Sequence, residues 1–597
     1  MPTKLEKIFR KFLKWKYKHL SNTQFINIAA AVVGLLSGLA AVTLKNLTHL
    51  IQELLEGEFI KNIHQVFYFI FPIIGLLFVL WIIKYVIKKP VGHGIPSTLF
   101  SISKLKGLMP RHQMWASLIT APLTVGFGGS VGLEGPTVST GAALGSNFAR
   151  LFHLNQNTRT LLIGAAAAGA MASIFKAPIA AIVFAVEIFS LELTLASMIP
   201  LLLASITAVL TSYFFFGDDV LLHFDVQDKF ALSDVFFYVL LGVITATVSI
   251  YFSKIYFAVR IFFKRFDNPY KRLLIGGVML GTIVYFIPPL FGEGFVTINN
   301  VLKGNISEVL TNNIFHTFSE EIWVVAILLI GLVLFKVVAM SFTFGAGGVG
   351  GVFAPTLFTG SISGYLVAML VNSSNLFNHQ LSLTNFAMVG MAGLMAGVLH
   401  APLTAIFLIA EITGGYELFI PLMIVASISF LITKHYIPHN IYAAELAKKG
   451  QLITHDRDKN VLMMLDLDKV IETNFVVLTP EMFLGEIVNN AVAKSPRNHF
   501  PVVNEDREFL GILTLNDIRG IMFDTNLYET VKVRSLMQSA SDIIYYEKDS
   551  AEVILNKFKS SGAWNLVVIK DGKYFGFISK SRLLTAYRRK LIQATNK

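Results

Sequence analysis

Two glycine-rich segments, 219 residues apart, constrain the fold of this chain more than any other feature. Residues 128–145 read GGSVGLEGPTVSTGAALG and residues 347–364 read GGVGGVFAPTLFTGSISG, with eight of 18 positions identical. A second pair follows in the same order, FKAPIAAIVFAVEI at 175–188 and LHAPLTAIFLIAEI at 399–412, with six of 14 identical at an offset of 224. Two similar offsets in one order indicate a duplicated half.

The charged residues divide the chain into three parts. Residues 1–20 hold seven Lys/Arg and one Glu, and residues 451–597 hold 20 basic and 18 acidic residues. The 430 residues between them hold only 42 charges, about a tenth, whereas soluble proteins carry about a quarter. This distribution predicts a basic arm (1–20), a membrane body (21–450) and a soluble tail (451–597), and it excludes a soluble enzyme. The chain has no cysteine, which excludes disulfides, Cys-ligated metals and thiol catalysis.

The basic arm interleaves Leu5, Ile8, Phe9, Phe12 and Trp15 with Lys and Arg. This pattern predicts an amphipathic helix held at the cytoplasmic face by anionic lipid. The alternative is a solvated basic tail.

The membrane body reads as an all-α polytopic protein. Its uncharged stretches are Val66–Ile83, Val235–Ser253, Leu273–Gly292, Ile322–Phe335 and Leu418–Thr433. Several are shorter than the roughly 20 residues that span a bilayer, and many are broken by Gly and Pro. Broken helices imply an internal, water-accessible path, and repeated halves of this kind are often inverted, with the site at their interface.

Both copies of the first repeat place glycines and a Pro before an apolar run, which marks a helix N-terminus. The segment Gly92-His93-Gly94-Ile95-Pro96-Ser97 is a third instance. Each N-terminus presents free backbone N–H groups and the positive end of a helix dipole. Three such termini inside a membrane predict an anion site that includes His93, Gly94 and Ile95. The alternative is that these segments are only loops where helices start.

Glu134 stands directly before one of these termini, and its repeat mate is Phe353. An acid inside a membrane body is functional by default because its burial is costly. A carboxylate beside anion-binding amides competes with the anion, and protonation would release it. This arrangement predicts proton-coupled or proton-gated anion movement. The alternative is a Glu that only caps its helix.

The motifs GHGIP, GLEGP and GGVFAP, in this order and with Tyr442 near the end of the body, resemble those of the CLC family of chloride channels and chloride/proton antiporters. The resemblance covers residues 21–450. It implies an inverted-repeat helical body and a homodimer with one anion path per subunit. It also implies that Glu134 is the gating glutamate, that the amides of Val352 and Phe353 bind the anion, and that the Tyr442 hydroxyl donates to it.

Three positions depart from the family pattern. His93 stands where Ser is common, so that imidazole can donate to the anion and titrate, or only the backbone of His93 binds. Ile188 stands where many antiporters have the inner proton-relay acid, as in channels. Leu133 replaces the Arg or Lys that commonly precedes the gating glutamate, which should weaken the attraction of anions.

Glu187 and Glu411 are repeat mates. Their symmetry suggests a shared structural duty, such as pairing near opposite membrane faces. Glu187 also remains a candidate for the proton path in place of Ile188.

The tail repeats a βαββα pattern, with Phe475–Leu478, Phe500–Val503 and Gly511–Thr514 as strands of the first module. It resembles a cytoplasmic α/β pair of CBS domains, at about 465–530 and 531–592. The resemblance implies an adenine-nucleotide site (ATP, ADP or AMP) at Thr514, Asp517 and Ser579, with Arg582 replacing an acid and available to a phosphate. The alternative is a dimerising module without a ligand.

A chloride/proton antiporter gated by Glu134 is therefore the leading hypothesis, with a passive CLC chloride channel, gated by voltage or protons, as the alternative. A CBS-linked divalent cation transporter is a weaker third hypothesis, because it would need clustered acids for hard oxygen ligation. We expect chloride, protons and membrane lipid as partners, a homodimer, no required cofactor, no metal and no nucleic acid. The expected location is a prokaryotic plasma (inner) membrane, with both termini in the cytoplasm.

Overall fold

The structure is a computed structural model of the whole chain. It describes residues 18–55, 64–92, 94–192, 194–217, 230–306, 322–374, 380–413, 416–448 and 467–595, with isolated positions 11, 14, 16, 309, 462 and 465. His93 and most of the predicted basic arm lie outside the described residues. The chain forms two compact units, 1–452 and 453–597.

The described part of the first unit is helical. Its helices, numbered in chain order, are α1 (Asn22–Leu55), α2 (His64–Trp81), α3 (Ile95–Lys104), α4 (Ala116–Gly126), α5 (Glu134–Leu151), α6 (Gln156–Phe175), α7 (Pro178–Phe189), α8 (Leu195–Phe216), α9 (Val235–Phe263), α10 (Pro269–Phe286), α11 (Phe295–Leu302), α12 (Ile322–Gly345), α13 (Phe353–Ser373), α14 (Leu383–Leu399), α15 (Pro402–Ile412), α16 (Phe419–Tyr436) and α17 (Ala444–Lys448). A π-helical turn, Ile82–Ile87, extends α2.

Eight helical segments among the described residues are long and apolar enough to cross a membrane. Several apolar helices are too short to cross alone, including α4, α7, α14 and α15. Helix ends at membrane depth need partners for their free N–H and C=O groups, so these short helices must be enclosed by the others. The first unit is an integral, multi-pass membrane structure.

The two repeats fold alike. Helix α5 packs along α6, and its repeat mate α13 packs along α14. Where the halves meet, Gly132 and Gly351 exchange two backbone hydrogen bonds: Gly132 N–H donates to Gly351 O at 2.9 Å, and Gly351 N–H donates to Gly132 O at 2.7 Å. These glycines are related by the repeat offset of 219. A contact between two residues at the same position of the repeat, each donating to the other, indicates that a two-fold axis relates the two halves.

Glu187 and Glu411 make a second reciprocal contact. Each carboxylate accepts hydrogen bonds from the first turn of the other repeat's helix: Ile179 and Ala180 donate to Glu411 at 3.0 and 2.7 Å, and Leu403 and Thr404 donate to Glu187 at 3.0 and 2.8 Å. Because each glutamate lies near the C-terminal end of its own helix, α7 and α15 run antiparallel. The two halves are therefore inverted, as predicted.

The described tail contains two small sheets. Strands β1 (His499–Val503) and β2 (Phe509–Thr514) are antiparallel. Strand β3 (Ile543–Tyr545) pairs parallel to β4 (Asn565–Lys570), which pairs antiparallel to β5 (Lys573–Ser579). The helices are α18 (Leu484–Glu486), α19 (Leu515–Ile518), α20 (Val533–Leu536), α21 (Ala551–Ser561) and α22 (Lys580–Thr595), with a π-helical turn at Ile487–Val492.

The predicted strand 475–478 is reduced to one bridge, between Leu478 and Val502. Leu478 donates to Pro501 O and its carbonyl accepts from Val503 N–H, which is ordinary parallel pairing. The next bond along this ladder would need an N–H on Pro501, and proline has none. The ladder therefore stops after one residue pair.

Removal of one reciprocal cap should destabilise the membrane body. We expect Glu411→Ala to lower the unfolding temperature, because it deletes two hydrogen bonds to a charged acceptor, each typically contributing about 1.5–3 kcal/mol. Thermal unfolding of the detergent-purified protein measures this loss. The matched control is Glu417→Ala, since Glu417 is exposed. Equal unfolding temperatures for the two variants would contradict a structural role for Glu411.

Candidate functional site

Three helix N-termini, those of α3, α5 and α13, meet through glycine backbone. Gly94 precedes α3 with φ of 69°, and a Cβ there would lie 3.1 Å from the carbonyl of Gly135. A Cβ on Gly351 would lie 2.7 Å from Gly135 N. Only glycine allows these approaches, and the Gly94 conformation also favours it. The three predicted helix starts therefore lie side by side, with their dipoles' positive ends grouped together.

A cavity of about 500 Å³ opens beside these helix starts, and we call it the Tyr442 cavity. Its lining includes Ile95, Gly135, Gly351, Val352 and Tyr442. The Tyr442 hydroxyl is buried and has no hydrogen-bond partner among the described residues. Burial of a hydroxyl without a hydrogen-bond partner costs free energy, unless a ligand or a water molecule supplies that partner.

Phe353 contributes its backbone rather than its ring. It is the first residue of α13, so its N–H group has no partner within the helix. Its ring packs against the rings of Phe175 and Phe184, at centroid distances of 5.3 and 6.4 Å. The structure thus brings together Gly94, Ile95, Val352, Phe353 and Tyr442, whereas His93 lies outside the described residues.

A second cavity, also of about 500 Å³, is lined in part by Leu133, Thr137 and Glu293, and we call it the Glu293 cavity. The two cavities share no lining residue. Leu133 lines one and Gly135 lines the other, while Glu134 between them is 1% exposed and lines neither among the described residues. Glu134 is therefore part of the barrier between two cavities.

The Glu134 carboxylate lies against the start of the other repeat. The backbone N–H groups of Glu134 itself and of Ala354, in the first turn of α13, are beside it. Neither carboxylate oxygen makes a hydrogen bond of standard geometry with the described residues. A carboxylate at a helix N-terminus occupies the kind of position that a bound anion prefers. The carboxylate thus lies at the N-terminus of α13 as well as at the start of its own helix.

Two charged residues near Glu134, the partly buried Glu293 and the buried Lys336, were not singled out from the sequence. Glu293 accepts the Leu133 N–H at 2.9 Å, and Lys336 donates to Gly292 O at 2.9 Å. Both side chains interact electrostatically with Glu134. The available sequence signal is their isolation: each is a charge in an otherwise uncharged part of the body.

Glu187 lies elsewhere, in the cap of α15 described above, where its carboxylate already accepts two backbone N–H groups. Ile188 is buried beside it on α7. This geometry fits the structural duty suggested by the repeat symmetry. It differs from direct pairing, because each glutamate binds the other repeat's backbone.

The nucleotide positions proposed for the tail are already engaged within it. Asp517 accepts from the Thr514 N–H and hydroxyl, both at 2.7 Å, and from the Gln538 side chain at 2.8 Å. The Ser579 hydroxyl accepts the Arg582 N–H at 3.3 Å. Arg582 pairs with Glu472 at 3.1 Å, and Glu472 also pairs with Arg497.

No group of three or more His, Cys, Asp or Glu that could hold a metal ion occurs in the part of the chain that the structure describes. Glu134 and its charged neighbours Glu293 and Lys336 comprise two acids and one cation. Such a set can hold protons and anions, but it does not provide the oxygen cage of a divalent cation site.

Comparison with known proteins gives the family. Residues 75–434, more than half of the chain, match the voltage gated chloride channel model, and residues 467–524 match the CBS domain model. The H(+)/Cl(-) exchange transporter ClcA of Vibrio parahaemolyticus is 28% identical over 446 residues, covering 71% of this chain and 91% of that protein. ClcA of Vibrio cholerae is 26% identical over 423 residues, covering 66% and 83%.

Solved structures share the fold. A slow cyanobacterial Cl-/H+ antiporter aligns with a TM-score of 0.59 and 24% identity, covering 71% of this chain and 97% of that one. A eukaryotic CLC transporter aligns with a TM-score of 0.58 and 17% identity, covering 93% and 97%. The CLC-type helical body and the CBS tail predicted from the sequence are thereby confirmed, and the chain belongs to the voltage-gated chloride channel (CLC) family, with CBS domains in its C-terminal region.

Proposed function

We propose that this chain exchanges chloride for protons across a membrane, and that Glu134 both blocks the anion path and carries the proton. The observation that supports this most directly is the position of Glu134, buried between two cavities with its carboxylate at the N-terminus of α13. The relatives named H(+)/Cl(-) exchange transporters support the same chemistry. A transporter of this kind is not an enzyme and needs no cofactor.

In this mechanism the carboxylate and chloride compete for the same backbone amides. Ionised Glu134 occupies the start of α13 and closes the barrier between the cavities. Protonation removes its charge, so that the side chain leaves and chloride takes its place at the amides of Val352 and Phe353 and at the Tyr442 hydroxyl. Return of the ionised side chain expels the anion and delivers the proton.

A passive chloride channel is the second candidate, and the engagement of Glu187 favours it. Neither Ile188 nor a carboxylate that already accepts two backbone N–H groups is suited to relay protons. Antiport therefore requires another proton route past Glu134. Membership of the CLC family argues against the divalent cation transporter.

The proposed setting follows the relatives, which are proteins of Vibrio and Yersinia. We place the chain in a prokaryotic inner membrane as a homodimer, with its N- and C-termini in the cytoplasm and the basic arm against anionic lipid. The boundaries 1–20, 21–450 and 451–597, with CBS modules at about 465–530 and 531–592, remain our division of the chain.

Glu134→Gln should uncouple the exchange. The amide keeps the size of the side chain but cannot exchange a proton, so chloride gradients should no longer drive proton uptake into liposomes, while chloride flux persists. Wild-type chloride flux should rise as pH falls, because protonation frees the site, and the variant should lose this dependence. Paired chloride and pH electrodes measure both fluxes. Proton pumping by the variant at the wild-type ratio would disprove the mechanism.

Tyr442→Phe should weaken chloride binding without destabilising the fold. A hydrogen bond to a charged group typically contributes about 1.5–3 kcal/mol, or roughly a tenfold to hundredfold change in Kd. The hydroxyl has no described protein partner, so its removal should leave the unfolding temperature unchanged. Calorimetric chloride titration checks the affinity. The control is Tyr285→Phe on α10, since Tyr285 lines neither cavity.

For the tail we propose weak binding of one adenine nucleotide, limited by the ion pairs of Glu472. This carboxylate competes with a phosphate for Arg497 and Arg582. We therefore expect Glu472→Gln to tighten ATP binding to the full-length protein in calorimetry. No heat from either protein at millimolar ATP would identify the tail as a module without this ligand.

A further inference from the structure

Glu293 is a partly buried carboxylate that the exchange mechanism above does not use. It lies in the loop that leads from α10 to α11, and it is also a lining residue of the Glu293 cavity. Its Oε1 accepts the N–H of Leu133, the residue directly before Glu134. One carboxyl group thus contacts both a cavity and the segment that carries Glu134.

The charged and titratable groups around Glu293 come from four neighbouring helices, α1, α2, α5 and α12. Glu134 at the start of α5 and Lys336 on α12 interact with it electrostatically, as does Lys45 on α1. The other titratable side chains that line the same cavity are His49 and Tyr68. Lys336 is fully buried, with its ammonium group 4.7 Å from the ring centroid of Phe358.

The charges of the innermost three groups set how many protons the cluster holds. With Glu134 and Glu293 ionised and Lys336 protonated, the three groups carry one net negative charge, with Glu134 and Lys336 buried and Glu293 alone of the three at a cavity. Uncompensated buried charge is costly, so the neutral state with one additional proton is favoured. Two interacting carboxyl groups share that proton rather than titrating independently.

We propose that Glu293 is the proton relay between the Glu293 cavity and Glu134, an inference that rests on the proposed function of Glu134. A hydronium ion in the cavity gives its proton to the Glu293 carboxylate and leaves water. The Glu293 carboxylic acid then passes that proton to the Glu134 carboxylate and becomes ionised again. One proton enters, one proton reaches Glu134, and Lys336 stays protonated as the counter-charge.

This relay is a proton path that depends on neither Glu187 nor Ile188. Glu134 itself lines neither cavity among the described residues, whereas Glu293 lines one of them. Proton transfer needs the two carboxyl groups within hydrogen-bond reach or joined by one water, and Glu293 both interacts with Glu134 electrostatically and holds the N–H of the residue before it. A purely structural Glu293 would only hold the Leu133 N–H.

The experiment separates these two roles with full-length protein in liposomes. Glu293→Gln keeps a side-chain oxygen to accept the Leu133 N–H but cannot carry a proton. We expect it to reduce the number of protons moved per chloride at least tenfold under a chloride gradient. Glu293→Asp keeps the carboxyl group and should restore most of the ratio. Glu53→Gln on α1 is the matched control, because Glu53 is exposed and lines neither cavity.

Glu293→Gln leaves Lys336 with one carboxylate fewer, so a second variant, Glu293→Gln with Lys336→Met, keeps the pair neutral if the single variant fails to fold. It should show the same loss of coupling. A wild-type ratio of protons to chloride in either glutamine variant would overturn the relay. Parallel measurement of Glu134→Gln keeps the proposals distinct, since loss of coupling in that variant alone would uphold exchange through Glu134 and reject Glu293.

Discussion

Two backbone hydrogen bonds between Gly132 and Gly351 join the two halves of the membrane body, and the helices of the candidate site are arranged around this contact. A second reciprocal set supports them, in which threonine hydroxyls of one half accept N–H groups of the other: Ser130 to Thr343 at 3.1 Å and Val349 to Thr124 at 3.0 Å. These bonds place the first turns of α5 and α13 beside each other. The site forms there because the symmetry axis passes where both helices expose unpaired N–H groups.

The backbone contacts between the two halves are symmetric, but the side chains at the candidate site are not. One half supplies Glu134, and its mate Phe353 supplies only a backbone amide and an aromatic ring held by Phe175 and Phe184. Two copies of the acid would place two like charges at the symmetry axis, and each buried carboxylate would carry its own desolvation cost. A single acid at the axis avoids this second penalty, and it faces the N–H groups of the other half's helix terminus with the cation Lys336 nearby.

The sequence was sufficient to predict the inverted halves and the three helix starts, because repeats, glycines and prolines act locally. Tyr442 was singled out only by the resemblance to the CLC family. The sequence was insufficient for Glu293 and Lys336, whose importance depends on contacts between distant segments: 160 residues separate Glu293 from Leu133. A shared structural role of Glu187 and Glu411 was predicted. Their binding to the backbone N–H groups of the other half was not, since N–H groups at helix starts do not appear in a side-chain pattern. The missing strand at 475–478 depends on Pro501, a residue of another strand.

The reciprocal caps of α7 and α15 have a consequence for synthesis of the protein. When the ribosome has finished the first half, the N-terminus of α7 still lacks Glu411, and Glu187 still lacks the helix that it caps. The first half must therefore enter the bilayer with these groups unsatisfied. Its hydrogen bonds are complete only when the chain has reached Glu411, which lies 232 residues beyond Ile179. Folding of the first half is thus completed by the last, and truncation anywhere before Glu411 leaves the N-terminus of α7 uncapped.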